Sequence, residues 1–307
     1  SAAEVYAQIV RDLTTAEALP ATYTGSDVGR ASSGAAKALL AKVYLTQRNW
    51  AAAAAKAREV VSSGTYALLP NYADVFTPTN RNSRESIFEV QFFIGAQVGT
   101  GNFLGNNFFE QFAPTGSSNL VTGVPNSNGQ GRNIPTSSIV NAYEASDPRR
   151  DASLRTAYVI PASGPNPART VNINYTIKYQ DPTATGGGSA SLGAGSANGF
   201  RALRYADVLL VLAEALNEQG GGNAEAFGAV NQVRRRARGN AAPATVLPDL
   251  AGLDQVAFRA AVERERRVEL AFENHRWFDL LRLGNARALA AMAANGKAIQ
   301  ADRLRFP

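Results

Sequence analysis

Apolar positions recur every three to four residues at both ends of the chain, and that spacing predicts helices. Val5, Ile9, Val10 and Leu13 form one such stripe, ending near Pro20. After the loop "ATYTGSDVGR", Ser32 or Ser33 caps a second helix, with Leu39, Leu40, Val43 and Tyr44 expected on its buried side. Asn49 caps a third, from Trp50 to Val61, which stops at "SSG". A connection this short makes the second and third helices antiparallel.

A similar hairpin recurs in the C-terminal half. Ala213 and Leu216 lie in "RYADVLLVLAEALNEQ", and Ala226 and Val230 follow "GGGN". Their offsets match those of Ala41, Tyr44, Ala53 and Ala57, as in tetratricopeptide repeats, where small residues let paired helices approach closely. Two copies leave open whether this is a repeat or two unrelated alanine-rich hairpins. Between them the period changes. "ESIFEVQF", "SLRTAYVI" and "TVNINYTIKY" read as strands, set among glycine-, asparagine- and serine-rich loops over 95–135 and 181–199. The expected fold is mainly α: one domain over 1–307, with helical repeats over 1–64, a strand- and loop-rich insertion over 65–199 and a helical part over 200–307.

Composition adds limits. The 307 residues hold 45% hydrophobic and 18% charged side chains, the balance of a globular chain. With no cysteine there are no disulfides, thiolate metal sites or cysteine nucleophiles. No stretch approaches the roughly 20 apolar residues that span a bilayer. The start, "SAAEVYAQIV", lacks the basic flank and apolar run of a signal peptide, which suggests a trimmed chain. A net charge of +6 is modest, and nucleic-acid binding would require it to gather on one face.

The densest stretch is "ERERRVELAFENHRWFDLLRLG", residues 263–284, with the only histidine. Glu263, Glu265, Glu269, Glu273 and Asp279 offer carboxylates, and His275 could be a general base. One histidine cannot make H-E-x-x-H, and no G-x-S-x-G elbow is present. The simpler reading is structural. Asp254 caps a helix from Gln255 to about Ala271, packing through Val256, Ala260, Val262, Val268 and Ala271. Glu263 and Arg267 stand four apart, in the favourable order for an ion pair. "ENHR" then breaks the helix, and Trp277, Phe278, Leu280 and Leu281 open the next. Such a corner reads as a hydrogen-bonded ion network with an aromatic plug, provided every charge is paired. Arg234, Arg235, Arg236 and Arg238 complement a helix C-terminus that Gly239 stops.

"GGGSASLGAGSANG" fits no phosphate-binding pattern. "GTGNFLGNNFFEQF" interleaves Phe103, Phe108, Phe109 and Phe112 with Asn102, Asn106 and Asn107. Aromatic faces beside amides suit sugar rings, although the same phenylalanines could simply anchor the loop.

Taken together, "RYADVLLVLAEALNE", "VNQVRRRARG" and "ERERRVELAFENHRWFDLLRLG" resemble, in that order, the SusD/RagB family of Bacteroidetes outer-membrane lipoproteins. "GRASSGAAKALLAKVYL", "ESIFEVQF" and "NAYEASDPRRDASL" look like the family's middle segments. The resemblance implies a tetratricopeptide-like scaffold carrying an irregular ligand face, function without catalysis or cofactor, and an oligosaccharide cargo. That cargo would be passed to a SusC-like TonB-dependent transporter at the outer membrane. The membrane would be reached only through a lipid anchor on a cysteine absent here, so the chain reads as a fragment lacking the N-terminal region. Glu263, Arg266, Arg267, Glu269, His275, Arg276, Trp277 and Asp279 are then a scaffold motif. Both tryptophans fall in helical scaffold positions. The ligand contacts expected from loop position and composition are therefore Asn102, Phe103, Asn106, Asn107, Phe108, Phe109 and Arg132. Other readings are a peptide or protein-nutrient receptor on the same scaffold, and a glycoside hydrolase.

Overall fold

A computed structural model describes residues 1–94, 97–98, 102–103, 105–184, 195–239, 241 and 245–300. Its first helix, α1 (Ala2–Ala16), lies against the second, α2 (Ser33–Thr46). Ile9, Val10 and Leu13 are half-buried there, while Val5 is exposed. Ser32 caps α2 by accepting the Ala35 N–H at 3.3 Å, and Asn49 caps α3 (Trp50–Ser62) by accepting that of Ala52 at 3.3 Å. Of the residues expected on the buried side of α2, Leu40 is buried and Val43 and Tyr44 are half-buried, but Leu39 is not. Ala35, Ala38, Leu40, Ala41 and Leu45 are buried, and Leu39 faces outward. Alanine wins because α3 meets α2 through Ala53, Ala54 and Ala57, and backbones that close leave no room for larger side chains.

The insertion begins with strand β1 (Ser86–Val90). Two-residue strands β2 (Gln97–Val98) and β3 (Asn102–Phe103) pair antiparallel. Four short helices follow: α4 (Phe108–Gln111), α5 (Asn119–Thr122), α6 (Ser137–Val140) and α7 (Pro148–Ser153). Strands β4 (Leu154–Ile160) and β5 (Arg169–Thr176) form a hairpin. The insertion closes on β6 (Phe200–Arg204), which the sequence reading did not separate from the following helix. It pairs antiparallel with β1, Ser86 opposite Arg204 and Val90 opposite Phe200.

Helix α8 (Tyr205–Glu218) is buried from Tyr205 to Asn217, which explains why its sequence is apolar on every side. It packs on α3, on α9 (Ala224–Arg238) and on α10 (Gln255–Glu269). The two hairpins, α2–α3 and α8–α9, are therefore stacked neighbours in one core, although the insertion separates them in sequence. Asn223 and Asp254 cap α9 and α10. On α10, Phe258, Val262 and Val268 pack inward, whereas Val256 (68% exposed) and Ala260 face out. The described chain ends through α11 (His275–Leu283) and α12 (Asn285–Ala293). Among the described residues, no helix is long and apolar enough to cross a membrane.

Candidate ligand-binding face above a buried ion network

The arginines of α9 and the carboxylates of α10 meet inside the protein. Arg234 donates to Glu265 at 2.9 Å and to Glu144 at 2.8 Å, and Arg236 to Glu85 at 2.7 Å and to Glu269. Only Arg235 and Arg238 stay near the surface, both on Asp249. Complementing the helix terminus is thus a minor part of what this run does. Two further arginines come from the insertion. Arg149 bridges Asp147, Glu265 (2.5 Å) and Glu269 (3.0 Å), and Arg204 bridges Glu85 (2.6 Å), Glu269 (3.1 Å) and Glu273. Lys178 joins them, donating to Glu273 at 2.8 Å and to the Ala271 carbonyl at 2.7 Å. Burial would raise the Glu269 carboxyl, but Arg236, Arg204 and Arg149 outweigh it and hold it down at about 2. Burial also lowers the Lys178 ammonium, to about 8, against the pull of Glu273.

A second cluster surrounds Asp207. It accepts from Arg266 at 2.8 Å and pairs with Lys42 at 2.8 Å. Arg266 and Arg282 share Asp279, and Arg282 also holds Glu214. His275 Nδ1 lies 3.3 Å from the Lys42 ammonium. Burial, reinforced by Lys42, depresses the imidazole to about 4 despite Asp207, so at neutral pH it is uncharged and accepts from Lys42. Each carboxylate described in the two clusters is occupied by a cation.

Part of the expected motif lies outside the network. Glu263 does not pair with Arg267; it binds Arg287, while Arg267 donates to Ser138 Oγ at 2.7 Å. The reason is direction: the Arg267 side chain turns toward α6, and Glu263 toward α12. Trp277 is not a plug, because it is 39% exposed and Phe278 is 56% exposed. Among the described residues Arg276 makes no hydrogen bond or close ion pair.

The expected ligand loop is divided. Asn102 and Phe103 lie on β3, and their side chains fall outside what the structure describes. Asn106 is buried, donating to the carbonyls of Ser196 (3.3 Å) and Asn198 (2.6 Å). Phe109 is also buried, against Val124 and Ala184. Both serve as anchors in this conformation, since residue 106 is tied into a bridge with Ser196 and Phe109 points inward from α4. Phe108 is half-buried among rings, stacked on Phe112 (5.7 Å between centroids) and edge-on to Phe92 (6.0 Å) and Tyr179 (5.6 Å). Asn107 and Arg132 are exposed. The structure brings them to one surface, because the backbone of Gln130, Gly131 and Arg132 bonds to the carbonyls of Glu110, Ala113 and Gln111.

One exposed aromatic beside a cleft was not among the expected residues. Phe93 is 48% exposed and carries the Arg81 guanidinium 5.3 Å from its ring centroid. It edges a cleft of about 520 Å³ that also holds Thr79, Asn82 and Gln91. Asn82 and Gln91 hold one another at 2.8 Å and 3.1 Å, which fixes both amides. The signal was present in "VQFFIG": two adjacent aromatics after an alternating strand must face opposite ways, so one packs with Phe108 and the other meets solvent.

The chain is similar to a known group of proteins. A family model described as the SusD family matches residues 159–304. SusD-like protein P25 of Formosa agariphila is 30% identical, the match covering 91% of this chain and 55% of that protein. A SusD homologue from Bacteroides thetaiotaomicron, solved by crystallography, superposes with a TM-score of 0.74 at 29% identity, covering 95% of this chain and 62% of the other. A laminarin-binding SusD-like protein superposes with a TM-score of 0.75 at 29% identity, covering 96% and 64%. The chain thus spans a little over half the length of the curated relative.

Proposed function

We propose that this chain, which is similar to members of the SusD family, is part of a non-catalytic glycan receptor. It captures oligosaccharides on the outward face of the outer membrane, tethered by a lipid anchor in the whole protein, and passes them to a SusC-like TonB-dependent transporter. The observation that carries the reading is the likeness to the laminarin-binding relative over nearly all of this chain.

The cleft beside Phe93 is the contact surface of choice. An exposed ring stacks on the C–H face of a sugar, and the fixed amides of Asn82 and Gln91 with the Arg81 guanidinium pair its hydroxyls. Asn107, Phe108 and Arg132, at and beside α4, are a separate group of candidate contacts. Catalysis is disfavoured because glycoside hydrolysis needs two available carboxylates, and the buried ones here are held in ion pairs.

Calorimetry with laminari-oligosaccharides and other glucan, xylan and mannan fragments, followed by product analysis, tests this. Saturable binding of intact glycan, weakened by Phe93→Ala with an unchanged melting temperature, is the expected result. Shortened products would instead indicate a hydrolase.

A further inference from the structure

A cleft larger than the one beside Phe93 lies elsewhere, between α6, the α10–α11 turn, α11 and α12, with a volume of about 810 Å³. Its rim leaves Ile134 (54%), Trp277 (39%) and Phe278 (56%) in the open. Three large apolar side chains gathered on one groove mark an interaction surface.

The same groove holds two half-buried arginines that the ion network leaves out. Arg149, Arg204, Arg234, Arg236, Arg266 and Arg282 all bind carboxylates. Arg267 donates to the Ser138 hydroxyl, and among the described residues Arg276 makes no hydrogen bond or close ion pair, only the weaker attraction of Asp279 and Glu263. The acidic groups nearest them are spoken for: Glu263 by Arg287, and Asp279 by Arg266 and Arg282. Burial lowers the affinity of both guanidiniums for their protons, and Arg267 is lowered further by repulsion from Arg276. A carboxylate set between them would relieve both penalties.

The walls decide what brings that carboxylate. Ile139, Leu270, Leu280 and Met292 are aliphatic, and a sugar would leave hydroxyls unpaired against them. A polypeptide offers apolar side chains for those walls, and its backbone can pair with the amides of Asn133, Asn274 and Asn295 at the rim. We propose that this groove docks an extended segment of a partner protein, with an Asp or Glu on Arg267 and Arg276 and flanking apolar side chains against Trp277 and Phe278.

Trp277 supplies the readout, because the only other tryptophan, Trp50, is half-buried against the helical core. The probe is a set of synthetic nonapeptides with a central Glu flanked by Leu, Ile or Phe, and the same peptides with Gln. Glu peptides are expected to shield Trp277 from acrylamide saturably and to bind roughly tenfold or more tighter than their Gln counterparts. The double variant Arg267→Gln with Arg276→Gln should abolish that preference, and Arg276→Lys should retain part of it. Melting temperatures of the variants confirm folding. Equal binding of Glu and Gln peptides, or no saturable shielding by any of them, overturns the proposal. So does shielding of Trp277 by laminari-oligosaccharides, which would make the groove a glycan site.

Discussion

Arg204 and Glu273, the last residue of β6 and a residue of the α10–α11 turn, form a bidentate pair at 2.7 Å and 2.9 Å in the middle of the protein. Neither is within reach of water, so each charge depends on the other and on Glu85, Glu269 and Lys178 around them. Replacing one partner strands the rest. Glu273→Gln is expected to lower the unfolding free energy by about 3–5 kcal/mol, read from urea titration. A loss under about 1 kcal/mol would mean that the network relaxes around the gap.

Acid should weaken the fold in two stages. The folded imidazole of His275 titrates at about 4 against an ordinary 6.5, so the unfolded chain takes up the proton first. Stability from neutral His275 is therefore complete above about 6.5 and is lost as pH falls toward 4, by roughly 3 kcal/mol in total. The carboxyls of Glu269 and Asp279, both held at about 2, contribute fully above their ordinary values and fade as pH drops toward 2. Melting temperature against pH should bend in both windows. In His275→Gln the upper bend should vanish while the lower one stays. His275→Ala should lower the melting temperature at neutral pH without abolishing glycan binding; the reverse pattern would remove the residue from the scaffold.

Phe93 and Phe109 should separate binding from stability. Phe93→Ala trims an exposed ring and is expected to weaken glycan binding with little change in unfolding free energy. Phe109→Ala empties a buried site and should cost about 3–5 kcal/mol. If instead both behave alike in denaturation, the placement of α4 is wrong.

The alanine seam is equally open to test. Ala57 is fully buried on α3, which lies between α2 and α8. Ala57→Leu should destabilise by about 1–3 kcal/mol through overpacking, despite leucine's good helix propensity. A neutral result would show slack between the hairpins.

Helices and most caps were legible in the sequence because they are local: Ser32, Asn49 and Asp254 act within three residues of themselves. The motif at 263–284 was legible as an ion network, but its partners were not. Glu265 reaches Arg149 across 116 positions, a pairing that no periodicity carries. Burial of Leu39 was misjudged because hydrophobicity ranks leucine over alanine, whereas close helix packing ranks them the other way. Phe109 and Trp277 exchanged expected roles for a similar reason: apolar character does not say which side of a short helix meets the core.

The pairing of β1 with β6 brings the two ends of the middle segment together at the edge of the helical stack. Everything from 91 to 199 leaves and returns through this one clasp. For a flexible loop already closed at its base, doubling its length costs only about 0.6 kcal/mol. The parts of that excursion that neither pair with the helices, as Glu144, Arg149 and Lys178 do, nor pack inward, as Phe109 does, can therefore be lengthened, shortened or exchanged while the helices stay as they are. Such a chain can rewrite those loops one clasp away from a frame that need not change.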